Sequence, residues 1–422
     1  MIFPEFWYII GIYLESGGRY VSHSRIRTRN TRSRTFTVAV CGGGIAGIAA
    51  ALSAARKGAK VLLVENQFML GGLGTAGLVT IYLPLCDGEG HQVSFGICEE
   101  LIRLSVSLGY EEPIPAVWQT PHTPEQRAGQ QRYQCRYNPQ VFAILCEQLL
   151  VKEGVTLLYG SRVCGVQKQK DRITHILVEN KGGRMVYAVQ SVVDATGDAD
   201  VCVQSGAGTV VFEQGNSLAS WYYLVQDSAI QLKMLGFCDV PDKDGKFHPS
   251  AEHSLSAVKY TGLTGEDLSN MTIAAHTSIL NNFTNGGGVS DRRAIATIAT
   301  IPQIRMTRRI NGVYTIDDSE ERRRSSSSIG MIADWRKKGK IYELPFEILY
   351  AAKVKNLICA GRNISTTDTM WDITRVIPVC AVTGEAAGLA AAMCDDFTVL
   401  PVAELQKELS FRGIPLHTEQ IL

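Results

Sequence analysis

Between Thr35 and Glu65 the chain changes texture three times, and that order of textures limits the fold more than any other stretch. Phe36 to Cys41 is a short apolar run rich in β-formers, which reads as a buried parallel strand. Gly42, Gly44 and Gly47 follow at G-x-G-x-x-G spacing, and the alanine-rich run from Ile45 to Lys57 reads as a helix ended by Gly58. Lys60 to Val64 is a second strand with Glu65 at its tip, 65 − 47 = 18 residues beyond the last glycine. In such a unit the first glycine makes the tight turn. The second lets backbone approach a pyrophosphate, and the third allows close helix–strand packing. The helix N-terminus offers N–H groups and the positive end of its dipole. An acidic residue about 20 positions on suits the hydroxyls of a ribose.

A chain of 422 residues has room for a large core and two or so domains. With 45% hydrophobic and 20% charged residues it has the composition of an ordinary soluble globular protein. A net charge of +1 gives no argument for a nucleic-acid partner. The 11 cysteines contain no C-x-x-C and no C-x-x-x-x-C spacing, which argues against iron–sulfur ligation, zinc ribbons or a paired redox disulfide. Cysteines in apolar runs, such as Cys146, Cys359 and Cys380, read as reduced core residues of a cytosolic protein, and no metal site is expected. Residues 1–14 are apolar and aromatic but too short to span a bilayer, contain Glu5, and lack a basic n-region and a cleavage site. Arginines at 19, 25, 27, 29, 32 and 34 follow, so residues 1–34 are expected to be a poorly ordered arm, with a membrane-surface anchor as the alternative. No transmembrane span is expected.

Beyond Glu65, the glycines Gly71, Gly72, Gly74 and Gly77 make a loop without bulky side chains, suited to a large flat ligand; a mobile surface loop is the alternative. Ile97–Leu108 and Pro139–Glu153 read as helices, and 113–129 as an exposed excursion. Val155–Tyr159 is a strand, followed by a small antiparallel meander over 162–169, 172–179 and 184–190. Ser191 to Asp194 is a further strand ending in Ala195-Thr-Gly197. Residues 209–350 lack a glycine-rich nucleotide loop; within them Ile301–Tyr314 concentrates Arg305, Arg308 and Arg309, and 320–328 reads as a surface loop. Asn356–Ala360 is a last buried strand leading into Gly361-Arg362-Asn363. Val379–Met393, rich in alanine and glycine, must be a closely packed helix. The expected fold is therefore α/β: a Rossmann-like nucleotide-binding domain from 35–80, 136–208 and 351–395, with a parallel sheet and a small antiparallel meander. An inserted α+β cap or substrate domain is expected over 81–135 and 209–350, and a tail from 396 to 422.

These segments resemble one group. The fingerprint, Glu65, the Gly71–Gly77 loop, Ala195-Thr-Gly-Asp198, Asn356-Leu-Ile-Cys-Ala-Gly-Arg362, Arg375-Val-Ile-Pro378 and Thr383-Gly-Glu-Ala-Ala-Gly388 look like the bacterial FAD-dependent oxidoreductases akin to fumarate reductase and succinate dehydrogenase flavoproteins. Phe95–Leu101 and Arg308–Gly312 resemble that group's cap segments. The resemblance covers about 35–395 and implies FAD as the cofactor. It implies that Gly42, Gly44, Ala46 and Gly47 hold the pyrophosphate, that Glu65 takes the adenosine ribose, and that Gly71, Gly72, Ala195, Gly197, Gly361 and Arg362 line the remainder. It also implies that the helix near Val379 aims its N-terminus at the flavin pyrimidine carbonyl. Where the group often has His-Glu after its Gly-Arg, this chain has Asp368-Thr369.

The implied activity is hydride transfer between flavin and a small, anionic organic substrate lying under the 209–350 cap. Such chemistry needs a cation or a proton donor opposite the flavin. Arg305, Arg309 and Arg375 are the candidates, with Tyr342 behind them; Arg305 and Arg309 would share one face if their stretch were helical. His91, His122 and His276 read as ordinary surface or packing residues. The alternative function is an electron-transfer flavoprotein subunit that needs a redox partner protein.

Overall fold

The computed structural model describes residues 34–237, 255–290 and 292–422. The expectations for residues 1–33 lie outside the described residues.

Strand β1 (Thr35–Cys41), helix α1 (Ile45–Arg56) and strand β2 (Val61–Val64) form the opening βαβ unit. Helix α2 (Ile97–Ser105) follows, then α3 (Pro139–Lys152), whose Asn138 side chain accepts from the N–H groups of Gln140 and Val141 and so caps it. Strands β3 (Thr156–Leu158), β4 (Arg162–Gln169), β5 (Arg172–Asn180) and β6 (Gly183–Asp194) complete the middle of the chain. Helix α4 (Asp200–Ser205) comes next.

The main sheet runs β3-β2-β1-β6-β5-β4. Strand β12 (Leu357–Cys359) pairs with the far end of β6, on the edge opposite β1. The two strands read in the sequence at 184–190 and from 191 are one strand, β6. Its first half pairs antiparallel with β5, with Ala188 opposite His175; its second half is parallel to both β1 and β12. One strand therefore joins the meander to the parallel sheet, and carries Asp194 to the sheet's carboxyl edge.

The cap sheet is antiparallel: β8 (Ser220–Gln226) lies between β9 (Ala229–Leu235) and β10 (Arg293–Ile298), and α5 (Gly265–Asn285) buries Ile279 and Phe283 against Tyr222 and Leu224. Between cap and sheet, β7 (Thr209–Val211) pairs antiparallel with β11 (Arg308–Ile310). The 305–309 stretch is thus loop and strand, which removes the helical premise for Arg305 and Arg309 sharing a face.

After β12 come α6 (Asp368–Thr374), α7 (Ile377–Met393) and α8 (Val402–Phe411). Helix α7 packs on α1 at backbone distance. A Cβ on Gly384 would lie 2.3 Å from the Ala46 carbonyl oxygen, and one on Gly388 2.0 Å from that of Ala50. Glycines four apart on α7 and alanines four apart on α1 therefore set how closely these helices approach. No single helix among the described residues is long and apolar enough to cross a membrane; α6 and α7 reach that composition only together, and they are bent by 89°.

Candidate functional site

The loop after β1 is built from backbone alone. Gly42 has φ +104°, donates to the Val64 carbonyl at 2.8 Å, and would drive a Cβ to 2.4 Å from the Ala195 carbonyl. Gly47 is needed for the third-glycine reason, since its Cβ would sit 1.9 Å from the Gly42 carbonyl oxygen. Gly44 differs: a Cβ there meets nothing within 4 Å, and no side chain caps α1. The uncapped N–H groups of the first turn thus face room of the kind a pyrophosphate fills.

Glu65 is almost fully buried and holds this loop. One carboxylate oxygen accepts from the Gly43 N–H at 2.6 Å and the other from the Gln67 N–H at 2.6 Å. Burial raises its pKa and these backbone N–H groups oppose the rise. Each oxygen keeps a second lone pair for a ribose hydroxyl. Gly71, with φ +99°, donates to the Gly43 carbonyl at 2.8 Å and bridges Gly44 in parallel; a Gly72 Cβ would come 3.3 Å from the Gly44 Cα. The two glycine loops are therefore one surface.

On the other side, Ala195 donates to the Cys41 carbonyl at 2.9 Å. Arg362 lies across Gly197, where a Cβ would be 2.6 Å from its guanidinium carbon, and ion-pairs with Asp198 at 2.8 Å. Gly361, with φ +91°, abuts Ala46 and donates to the Thr383 hydroxyl of α7 at 3.1 Å. The structure thus gathers Gly42, Gly44, Ala46, Gly47, Glu65, Gly71, Gly72, Ala195, Gly197, Gly361 and Arg362 around the N-terminus of α1. Asp194 was not singled out from the sequence, yet it organises this edge: its oxygens accept from the Thr196 N–H and hydroxyl and from the Cys202 N–H. An aspartate closing an apolar strand just before Ala-Thr-Gly was the available signal.

The 300–310 segment straps across this cradle. At one end Thr300 donates to the Ala76 carbonyl at 2.9 Å and Gln303 to that of Gly77 at 2.6 Å; at the other, Ile310 donates to the Asn363 carbonyl at 2.9 Å. Thr307 in the middle donates to Asp198 at 2.7 Å. Arg305 and Arg309 ride on this strap and are both buried. The Arg305 guanidinium lies 5.6 Å from the Trp221 ring centroid. Among the described residues, Arg309 hydrogen-bonds only neutral oxygens, the Ile310 carbonyl at 3.3 Å and the Ser365 hydroxyl at 3.4 Å. Burial lowers its pKa, with Asp368 opposing. The neighbouring Arg308 instead pairs with Asp200 at 2.6 Å.

Arg375 lies at the break between α6 and α7, where its guanidinium pairs with buried Asp372, and Asp372 also takes Arg336 at 3.1 Å. An i,i+3 Asp–Arg pair was the signal for that contact. Tyr342 is buried and donates to the Asp318 carbonyl at 3.1 Å. Helix α7 begins at Ile377, two residues before Val379, with Pro378 in its first turn and no side-chain cap. His91 meets Asp87 and His122 meets Thr120, both in the 81–135 segment.

Similar proteins were found by both structure and sequence. The Mycobacterium smegmatis Sdh1 complex in the apo form aligns at TM-score 0.47 and 11% identity, over 91% of this chain and 72% of that one. A geranylgeranyl bacteriochlorophyll reductase-like protein from Thermoplasma acidophilum aligns at TM-score 0.44 and 14% identity, over 90% and 84%. By sequence, 76 residues are 34% identical to thioredoxin reductase from Ureaplasma parvum serovar 3 (strain ATCC 700970), 18% of this chain and a quarter (25%) of that protein's length. The family described as FAD dependent oxidoreductase matches residues 37–245 and 231–409, so this chain belongs to that family, is an FAD-dependent oxidoreductase, and has FAD as its cofactor.

Proposed function

We propose that the protein transfers hydride between FAD and a small organic anion held under the 300–310 strap. The carrying observation is Arg309, a buried guanidinium whose hydrogen-bond partners among the described residues are neutral. A buried cation without a bonded counter-charge is stabilised by an incoming carboxylate, and a guanidinium takes one through two parallel hydrogen bonds. When bound, the flavin supplies the hydride chemistry. The chain's own part is to hold the cofactor with backbone N–H groups at α1 and with Glu65 and Arg362, and to orient the anion with Arg309 and, beside Trp221, Arg305. Arg375, paired with Asp372, acts in this reading by fixing the start of α7. A cytoplasmic setting belongs to the same proposal.

The test is an anaerobic screen of the dithionite-reduced, FAD-loaded protein against unsaturated and 2-oxo acids, read by flavin absorbance. Reoxidation by a carboxylic acid but not by its methyl ester is expected. Arg309→Ala should retain flavin and lose about 10²- to 10³-fold in turnover, the usual effect of removing one transition-state partner. Equal reaction of acid and ester, or normal turnover of the variant, would sink the anionic substrate.

A further inference from the structure

Cys202 and Cys359 are 157 residues apart, and their Sγ atoms lie 3.2 Å from each other, both fully buried. The absence of C-x-x-C spacing argued against a redox pair, but spacing reports only neighbours in sequence; here the fold brings two distant thiols into contact. Cys359 ends β12 opposite Asp194, and Cys202 sits on α4, where its N–H donates to Asp194 at 2.9 Å. Both cysteines are thus tied to the same aspartate.

The group Asp194, Cys202 and Cys359 is also the kind of set that could ligate a metal ion. The distance decides against it. Two thiolates on one tetrahedral zinc, each at about 2.3 Å, stand about 3.8 Å apart, so a metal would have to push these sulfurs outward. A disulfide at about 2.05 Å requires them to close further along the line they already occupy. Asp194 is moreover occupied: one oxygen accepts two hydrogen bonds from Thr196 and the other accepts from Cys202.

We propose that Cys202 and Cys359 form a dithiol that a hydroperoxide converts to a disulfide, clamping together the two segments that carry Asp198 and Arg362. Helix α4 follows the 195–199 loop and β12 leads into Gly361-Arg362, so the bond duplicates covalently the Asp198–Arg362 ion pair spanning the same two segments. In the closed fold both thiols are fully buried and their pKa values are pushed up, that of Cys202 by its contact with Cys359 and by burial and that of Cys359 by burial. The reaction therefore waits on opening of the six-residue helix α4, which brings Cys202 to peroxide first. The hydroperoxide oxidises that thiol to a sulfenic acid, breaking the O–O bond, forming S–O and releasing its other oxygen as an alcohol, or as water when the oxidant is hydrogen peroxide. The Cys359 thiol then attacks the same sulfur, the S–S bond forms, the S–O bond breaks, and that oxygen leaves as water with the remaining proton. Two thiols thus give two electrons to one peroxide. Such bonds in reducing compartments are transient and redox-sensing.

The effect on cofactor retention rests on FAD occupying the cradle; the disulfide itself does not. The test treats the full-length, FAD-loaded protein with one equivalent of hydrogen peroxide. Catalase quenching, alkylation in denaturant and peptide mass spectrometry follow. A dithiothreitol-reversible Cys202–Cys359 cross-link is expected, with a higher urea midpoint and several-fold slower flavin release, in the wild type but in neither Cys202→Ser nor Cys359→Ser. Full alkylation of both thiols after treatment, or a cross-link of Cys359 to Cys41 instead, would overturn the pair. So would stoichiometric zinc retained by the untreated wild type and lost from Cys202→Ser. A disulfide that leaves flavin release unchanged overturns the clamp. Protein that binds no flavin would contradict the cofactor assignment, while the mass spectrum would still decide the disulfide.

Discussion

Glu65 reaches back 22 residues to accept the Gly43 N–H at 2.6 Å, so the acid placed to take a ribose is also the brace of the first glycine loop. Its other oxygen accepts from Gln67. An amide at this position would turn one acceptor into a donor facing an N–H. Glu65→Gln should therefore weaken FAD binding almost as much as Glu65→Ala, by about 1–3 kcal/mol, or about 5- to 150-fold in Kd. Fluorescence titration of the apoprotein with FAD reads this directly. A glutamine variant with wild-type affinity would show that the brace is dispensable.

Arg375 and Arg309 should fail in opposite ways. Arg375 shares buried Asp372 with Arg336, so Arg375→Ala leaves an under-compensated carboxylate in the core. A loss of about 3 kcal/mol of stability is expected. Arg309→Ala orphans no carboxylate among the described residues and should unfold near the wild-type midpoint. Urea denaturation of the two variants side by side is the measurement; if Arg375→Ala matches the wild type, the Asp372 pair is not structural.

Asp200 gives the fold a pH dependence of definite sign. Burial, with Asp198 and Asp194 nearby, raises its pKa from 3.8 to about 6, against the pull of Arg308. The folded state then binds the proton more tightly than the unfolded chain. Its contribution is most favourable below pH 3.8 and is lost as pH rises through about 6, a span worth about 3 kcal/mol. Asp200→Asn should remove that decline. Urea midpoints between pH 4 and 7 should fall less steeply in the variant, and parallel curves for the two proteins would refute the assignment.

Gly388 and Gly413 separate packing from backbone strain. A Cβ on Gly388 lies 2.0 Å from the Ala50 carbonyl oxygen, so Gly388→Ala must part α7 from α1, destabilising the protein by about 3 kcal/mol. Gly413 has φ +79° but open space around it, and Gly413→Ala should cost only the left-handed strain, about 1–2 kcal/mol. Thermal unfolding of both variants checks the order, and equal shifts would mean that the helix contact yields easily.

The sequence by itself determined the parts whose causes are local. A glycine that must take φ +104° at Gly42, an uncapped helix start at Ile45, and an acid at the tip of the second strand are matters of spacing along one short stretch. The same holds for Gly361-Arg362 after a buried strand, and these stretches led to the cofactor. Only the tertiary structure decided what depends on neighbours far apart in the chain. Strand β6 was read as two because its partners change midway from an antiparallel strand to parallel ones, and no periodicity within the strand records that. Arg305 and Arg309 lie on a strap set by hydrogen bonds to Ala76, Gly77 and Asn363, which no helical repeat could foretell. The contact between Cys202 and Cys359 arises because α4 and β12 both meet Asp194. Local sequence fixes backbone conformation, but the meeting of side chains from distant segments is settled by how the sheet orders its strands.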